Sequence, residues 1–417
     1  MTLIECFDRS VNANIVSCLH LRPKKVIFLG SSPDMDSAID RYRAFFKERN
    51  LSVNLKPQTV NMEHMEEIAD TLFRVVRQEA PCVIDVTGGD ERLLMAVGML
   101  LSRLNPELRK QVSIQKFDKE TGLAQDCDGD GKVIQGYCAN VTANELIRLH
   151  YGRPSSNSAL VGKMYRAKDL QPLWKIACDL SDRWNDLVSS LIFVESKVDK
   201  ENRKKGNIIL TETVLGQFSP YHRDTLHEAI TLLETFRNEG IVQGTVRNDR
   251  LDYRYTSPLF RYCTEKQGNI LEVKTLLEAQ EVLENGKPYF HDCLMSVNID
   301  WENPTRESDN KKPDTRNEID LLLTRGLVPL FVSCKNGETD ENELYKLNSV
   351  ASRFGGPDAK KLLVATHLKI IGGKSIDKFT QRAEDMGIHI IACAKDLEKT
   401  DWQKAFVNSF KHKVPSR

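Results

Sequence analysis

The stretch NEIDLLLTRGLVPLFVSCKNG, residues 317–337, decides how the C-terminal part of this chain folds. Two apolar, β-like runs flank the turn formers of TRG, so we expect an antiparallel hairpin. On alternating strands Glu318 and Asp320 share one face, and so do Ser333 and Lys335. The hairpin brings these faces together, and if TRGL, residues 324–327, is its turn, Glu318 lies roughly opposite Ser333. Acids and a lysine therefore converge at one end of an apolar hairpin.

The preceding stretch GNILEVKTLLEAQEVL, residues 268–283, has apolar residues at helical spacing and carries Glu272 near its start. By itself Glu272 is explained as a solvated helix acid, and a lysine among acids as a plain ion pair. The two strand acids, the helix glutamate and Lys335 together fit better as a site for one divalent metal ion and a water nucleophile. Mg²⁺ and Mn²⁺ prefer the oxygen ligands that carboxylates provide.

Upstream, the first 150 residues alternate short β-like runs with helical stretches, which predicts a parallel α/β sheet. KKVIFLG, residues 24–30, is the first predicted strand, and a helix is expected over 36–49. CVIDVT, residues 82–87, is the third predicted strand.

The middle of the chain is expected to be mainly helical. Turn formers in YGRPSSNSA, residues 151–159, precede helical patterns over 170–194 and 222–240. Two alternating runs over 241–256 predict a hairpin directly after a helix, which is typical of a winged-helix-like segment. Beyond this segment the α/β pattern returns. We therefore predict three domains, residues 1–152, 153–261 and 262–417.

Two turns of the N-terminal sheet are candidate anion sites. GSSPD follows the first predicted strand and TGGDE the third, where helix N-termini offer free amides. Hydroxyls and glycine amides at such turns bind phosphate, although Gly and Ser also occur there for conformational reasons and an acid can be a simple N-cap. No dinucleotide or P-loop motif is present, so an unusual nucleotide is expected. The candidate residues are Ser31, Ser32, Thr87, Gly88, Gly89 and Asp90.

Composition narrows the function classes. Lys plus Arg and Asp plus Glu both total 59, so nucleic-acid contact needs a local basic patch, for which Lys311 and Lys312 are candidates. No apolar run approaches the ~18 residues of a membrane helix, and no signal-peptide pattern opens the sequence. Ten cysteines show no C-x-x-C spacing, which favours reduced thiols. We expect a soluble, cytoplasmic protein without membrane contact.

These motifs carry a resemblance to a known family. G-x-x-L-E on a helix, N-E-x-D on a strand and a hairpin to C-K resemble the nuclease fold named after its PD-(D/E)-x-K motif. With the preceding T-G-G domain, essentially the whole chain resembles the CRISPR-associated Rossmann-fold (CARF) sensor proteins fused to that nuclease. Members of that family are ancillary effectors of type III systems activated by cyclic oligoadenylate.

The resemblance implies an α/β multidomain protein with a Rossmann-like CARF domain, a helical and winged-helix-like linker, and a restriction-endonuclease-like C-terminal domain. It implies Asp320, Lys335 and Glu272 as catalytic residues. The ligands that we predict for Mn²⁺ or Mg²⁺ are Asp320, Glu318, Glu272 and the backbone carbonyl of Cys334. The cyclic oligoadenylate site falls on the two N-terminal turns.

One position departs from the family pattern. The residue two before the lysine should be Asp or Glu, yet Ser333 cannot supply an anionic ligand at neutral pH. Glu318, expected opposite Ser333, is the first candidate substitute, and the helix acids Glu341 and Glu343 are others.

Two functions follow as hypotheses. The first is a homodimer that binds cyclic tetra-adenylate across its twofold axis and then cuts DNA or RNA with a divalent metal ion. The second is a ligand-responsive regulator in which the winged-helix-like segment, with RKKG at residues 203–206 nearby, binds DNA while the nuclease domain is degenerate. Ser333 supports the second, and the joint presence of Asp320 and Lys335 supports the first.

Overall fold

The computed structural model describes residues 1–31, 34–128, 131–155, 164–198, 207–210, 222–301, 317–373 and 375–411. Three predicted site residues, Ser32, Lys311 and Lys312, lie outside the described residues, as does the RKKG stretch. Their assignments stay predictions.

A parallel sheet with helices on both faces forms the N-terminal part. Its strands are β1 (Thr2–Cys6), β2 (Lys25–Gly30), β3 (Asn54–Thr59), β4 (Cys82–Asp85), β5 (Val112–Phe117), β6 (Ala124–Asp126) and β7 (Val133–Ile134). Among the described residues they are ordered β3-β2-β1-β4-β5-β6-β7, with β6 and β7 antiparallel. The helices are α1 (Val11–Leu21), α2 (Asp34–Glu48), α3 (Met65–Glu79), α4 (Glu91–Arg103), α5 (Pro106–Arg109) and α6 (Ala143–Leu149). The predicted parallel α/β sheet is confirmed.

The true first strand, β1, was not predicted from the sequence. KKVIFLG forms β2, and CVID forms β4 rather than a third strand. The helix α1 that follows β1 buries nine of its 11 residues, including Asn12, Asn14, Ser17 and His20. A helix buried on nearly all sides has no polar face, so its sequence carries little periodicity.

The middle part contains helices and a small sheet. Its elements are β8 (Gly152–Ser155), α7 (Ala167–Asp179), α8 (Trp184–Glu195), β9 (Asn207–Leu210), α9 (Arg223–Asn238), β10 (Val242–Val246), β11 (Leu251–Tyr255) and α10 (Pro258–Thr264). β10 and β11 form an antiparallel hairpin directly after α9, as predicted, and β9 pairs with β11.

The C-terminal part is built on a mixed sheet. Its elements are α11 (Asn269–Gln280), β12 (Leu283–Glu284), β13 (Lys287–Pro288), β14 (Asp292–Trp301), β15 (Asn317–Arg325), β16 (Val328–Lys335), β17 (Glu338–Thr339), α12 (Glu341–Gly355), β18 (Lys360–Ala365), β19 (Lys369–Ile370), α13 (Ile376–Asp385), β20 (Ile388–Ile391) and α14 (Lys399–Lys411). In the described part of the chain the sheet order is β20-β18-β16-β15-β14-β8. Neighbours from β8 to β16 are antiparallel, and those from β16 to β20 are parallel.

Packing crosses the predicted domain boundaries. β8, at the boundary after residue 152, is the edge strand of the C-terminal sheet and pairs with β14. One hydrophobic core runs from α7 and α9 through α11 to β15, β16 and α14. The middle helices and the C-terminal sheet therefore share a core, while the three-domain division stays a prediction. None of the described helices is long and apolar enough to cross a membrane.

Candidate active site

The hairpin of β15 and β16 sets the geometry of the candidate site. Arg325 pairs with Val328 around a two-residue loop in which Gly326 has φ 60°. Ser333 Oγ donates to Asp320 Oδ2 at 3.3 Å, and the Cys334 amide donates to the same oxygen at 2.6 Å.

The expected pairing of Glu318 with Ser333 is therefore wrong, because Asp320 lies beside Ser333. The turn is centred one residue later than the expected turn TRGL, residues 324–327, and moving a turn by one residue moves the partner of each residue by two. Glu318 shares the pocket with Asp320, but it does not occupy the position across from the serine.

An irregularity in the sheet directs Asp320 toward the pocket. β14 and β15 pair continuously except at Ser296 and Asp320, and Ser296 has φ 50°, an uncommon value for a residue other than glycine. Ile319 and Leu321 pack into different hydrophobic cores, although strict alternation would place them on one face. The strand changes face at Asp320, which brings a polar side chain out of a region that is otherwise buried.

Helix α11 and strands β15 and β16 bring the predicted residues into one cavity of about 770 Å³. Glu272 lies in the first turn of α11, where Ser296 Oγ approaches its Oε2 at 3.4 Å. Helix α8 and the loop before α11 form the opposite wall. The lining residues used below are Glu272, Glu318, Asp320, Cys334, Lys335 and Lys266.

The carboxylates of this cavity repel one another. Burial, and then the charges of Asp320 and Glu318, raise the pKa of Glu272 from its ordinary value of 4.5 to about 7. Burial also raises the pKa of Asp320, while the hydrogen bond from the Cys334 amide opposes that rise. Closely placed acids with raised pKa values are the arrangement that a bound cation stabilises.

The donor atoms fit a hard divalent ion. Glu272, Glu318 and Asp320 offer carboxylate oxygens, which suit Mg²⁺ and Mn²⁺. Among the described residues no three His, Cys, Asp or Glu side chains converge closely enough to form a metal-binding group. An ion would be held by Asp320 with Glu272 or Glu318, completed by other oxygens such as the Cys334 carbonyl and water.

Lys335 is positioned by an acid of helix α12. Its Nζ lies 2.7 Å from Glu343 Oε2, and Lys346 lies 2.8 Å from the other oxygen. Burial raises the pKa of Glu343, but the hydrogen bonds from the two lysines outweigh it and hold the pKa below its ordinary value. Neither Glu341 nor Glu343 lines the cavity. Glu343 thus holds the lysine instead of replacing the missing carboxylate.

At the other end of the molecule, two of the predicted sensor residues are engaged in local structure. Thr87 Oγ1 donates to Asp85 and accepts the Phe117 amide at 2.7 Å, which ties β4 to β5. Asp90 is the N-cap of α4 and accepts the Arg92 amide at 2.9 Å. The N-cap alternative for Asp90 is therefore what the structure shows, whereas Ser31 is exposed at the end of β2.

The two glycines are required by close packing. A Cβ on Gly88 would approach Ala13 Cβ at 2.7 Å, and one on Gly89, where φ is 109°, would approach Cys6 Cβ at 2.6 Å. The Gly89 amide donates to Asp8 Oδ2 at 2.7 Å. This amide is an anion-binding group, and in the structure its acceptor is a carboxylate of the same chain.

Comparison with solved structures finds the same fold in other proteins. No protein-family model matches the sequence, and no curated protein matches it. Protein VC1899 from Vibrio cholerae has a TM-score of 0.69 at 16% identity, covering 99% of this chain and 98% of its own. Can2 from Sulfobacillus thermosulfidooxidans, in complex with cyclic tetra-adenylate, has a TM-score of 0.61 at 12% identity, covering 98% and 97%. The chain shares the fold of both proteins.

The shared fold with VC1899 and Can2 confirms, at the level of the fold, the resemblance drawn from the sequence. Sequence reasoning missed Asp8 and Ser296, and it missed the role, though not the presence, of Glu343. Asp8 follows β1 at the carboxyl edge of the sheet, a placement that a correct prediction of β1 would have indicated. Ser296 is defined by its backbone angle, and the role of Glu343 by its contact with Lys335, neither of which has a sequence signal.

Proposed function

We propose that this protein is a divalent-metal-dependent nuclease whose activity is controlled by a cyclic oligoadenylate. The observation that carries the proposal is the convergence of Glu272, Glu318, Asp320 and Lys335 from a helix and two strands on one cavity. A purely structural cluster would neutralise its acids with the nearby lysine. Here the ion pair of Lys335 is with Glu343 of α12, and the charges of Asp320 and Glu318 still raise the pKa of Glu272.

Each residue has a definite role in phosphodiester hydrolysis. A bound Mg²⁺ or Mn²⁺ would lower the pKa of a water molecule and neutralise charge on the scissile phosphate. Asp320, with Glu272 or Glu318, would hold that ion, and the Cys334 amide fixes the orientation of the Asp320 carboxylate. Lys335, held by Glu343, would place its ammonium group at the scissile phosphate. Lys266, exposed in the same cavity, is suited to a neighbouring phosphate.

The activator is proposed to bind at the N-terminal sheet. Can2, which shares the fold, was solved with cyclic tetra-adenylate. In this chain Gly88, Gly89 and the exposed Ser31 all follow strands at the carboxyl edge of the sheet, where anions bind in such folds. A ring with twofold symmetry suits two copies of one such surface, so we propose a homodimer.

The experiment compares plasmid DNA and single-stranded RNA, each with and without cyclic tetra-adenylate, cyclic hexa-adenylate and Mn²⁺. Cleavage that needs both the metal and one ring supports the proposal. Asp320→Asn, which keeps an acceptor for the Cys334 amide, is the inactive control. Sequence-specific DNA binding without metal-dependent cleavage would instead establish the regulator with a degenerate nuclease domain.

A further inference from the structure

The carboxylate of Asp358, in the C-terminal part, accepts hydrogen bonds from two loops of the N-terminal sheet. Asp358, just after α12, accepts Ser10 Oγ at 3.0 Å and Lys119 Nζ at 2.8 and 2.9 Å. Ser10 follows β1, and Lys119 follows β5. Both are at the carboxyl edge of the sheet, where the activator is proposed to bind. Asp358 is therefore in direct contact with the sensor edge.

Ser10 is at the N-cap position of a helix, but its side chain contacts the C-terminal part of the protein. It is the N-cap of α1 but makes no side-chain cap hydrogen bond, and its hydroxyl donates to Asp358. Its amide donates to Asp8 Oδ1 at 2.6 Å, and the second Asp8 oxygen accepts the Gly89 amide at 2.7 Å. The Asp8 carboxylate thus connects the Gly89 turn to the residue that holds Asp358.

Asp8 and an activator phosphate exclude each other at Gly89. A single N–H group cannot donate a full hydrogen bond to two anions, and the two negative charges repel. A phosphate that takes the Gly89 amide must therefore displace Asp8. The Ser10 amide then loses its acceptor, and the backbone that aims the Ser10 hydroxyl at Asp358 is released.

The same interface holds the elements of the candidate active site. The Lys119 carbonyl accepts the Leu327 amide at 2.8 Å, and Arg325 pairs with Glu120 at 2.7 Å. The loop that follows β5 therefore contacts the turn between β15 and β16 directly. Those strands carry Asp320 and Lys335. Helix α12 presents Glu343 to Lys335 in its first turn and leads to Asp358 at its other end.

We propose that Asp8 is an internal competitor of the activator and that the Ser10–Asp358 hydrogen bond is a latch that exists only while Asp8 holds Gly89. The inference rests on the proposed function. Because the latch stabilises only the Asp8-bound form, weakening it favours the activator-bound form. By linkage, basal cleavage rises and activator binding tightens together.

The test uses the full-length variants Ser10→Ala, Asp358→Asn and Asp8→Asn. Ser10→Ala removes no helix cap, and Asp8→Asn keeps one acceptor without the charge. Each should raise basal cleavage and tighten cyclic tetra-adenylate binding, measured by calorimetry, by roughly tenfold, the worth of one charge-assisted hydrogen bond. Combining Ser10→Ala with Asp358→Asn should add little to Asp358→Asn alone, which already weakens the Ser10 hydrogen bond together with the Lys119 ion pair.

Asp182→Asn is the matched control, because its 2.6 Å ion pair with Lys369 is remote from the sensor loops. The latch is overturned if Ser10→Ala and Asp8→Asn bind the activator and cleave like the parent. It is also overturned if the effects of Ser10→Ala and Asp358→Asn on activator affinity add fully in the double variant. A parent that neither binds cyclic oligoadenylate nor responds to it refutes the proposed function itself. The two failures are therefore distinguishable.

Discussion

Glu272 should make the stability of the protein depend on pH, and the glutamine variant should remove that dependence. Its pKa is raised in the folded protein from 4.5 to about 7, first by burial and then by Asp320 and Glu318. The neutral form is therefore favoured by folding. Its contribution to stability is complete below pH 4.5 and is lost as pH rises through about 7.

The size of the effect follows from the pKa shift. At 1.36 kcal/mol per pKa unit the loss amounts to about 3 kcal/mol, most of it between pH 4.5 and pH 7. The core that holds α11 extends over the middle and C-terminal parts, so a change of this size should move the melting temperature by roughly 6 to 12 °C. Glu272→Gln cannot ionise, so its melting temperature should lack this decline.

The assay is thermal unfolding of the parent and of Glu272→Gln from pH 4.5 to pH 8, first in a chelator and then with Mn²⁺. Only the difference between the two proteins is used, because other groups titrate in both. Mn²⁺ at pH 8 should raise the melting temperature of the parent more than that of the variant. Glu234→Gln, at an exposed position of α9, serves as the control. Superimposable curves for the parent and Glu272→Gln without metal would refute the reasoning.

Three further predictions concern the two ends of the molecule. Asp320→Asn and Lys335→Ala should each reduce cleavage by at least a hundredfold and leave calorimetric activator binding unchanged; weakened binding would indicate unfolding. Glu343→Gln should lower cleavage less, roughly tenfold, without shifting the Mn²⁺ concentration needed, because it positions the lysine; a shifted metal titration would make it a ligand. Gly89→Ala should destabilise the N-terminal sheet by about 2 to 5 kcal/mol, because of backbone strain and the contact with β1. Ser31→Ala should weaken activator binding and leave the melting temperature unchanged.

The prediction for Gly89→Ala differs from what the sequence alone suggests. A glycine at a strand-to-helix turn looks like an open approach for a ligand, so a bulky replacement should block binding and spare the fold. In the structure the missing side chain would meet Cys6 of the same chain. Tertiary packing decides which residue lies against a glycine, and the sequence TGGDE does not show that Gly89 packs against Cys6.

The sequence by itself determined the order of the parts and the types of chemistry. Short apolar runs bounded by turn formers, in KKVIFLG and in residues 317–337, specified β2, β15 and β16, because such runs are typical of strands buried on both faces. The presence of Glu272, Asp320 and Lys335 on one helix and one hairpin indicated one site, because acids and a lysine at the same end of a hairpin fit a metal site and because the same residues carry the family resemblance.

Only the tertiary structure decided the details on which function depends. The position of a two-residue loop set Asp320, not Glu318, beside Ser333, and a single positive φ at Ser296 turned the strand toward the cavity. The contacts of Ser10 with Asp358 and of Lys335 with Glu343 join residues that are far apart in the chain or on separate elements. Local patterns report how each segment is buried, whereas partners across an interface depend on how the finished segments pack, and no short window of sequence records that.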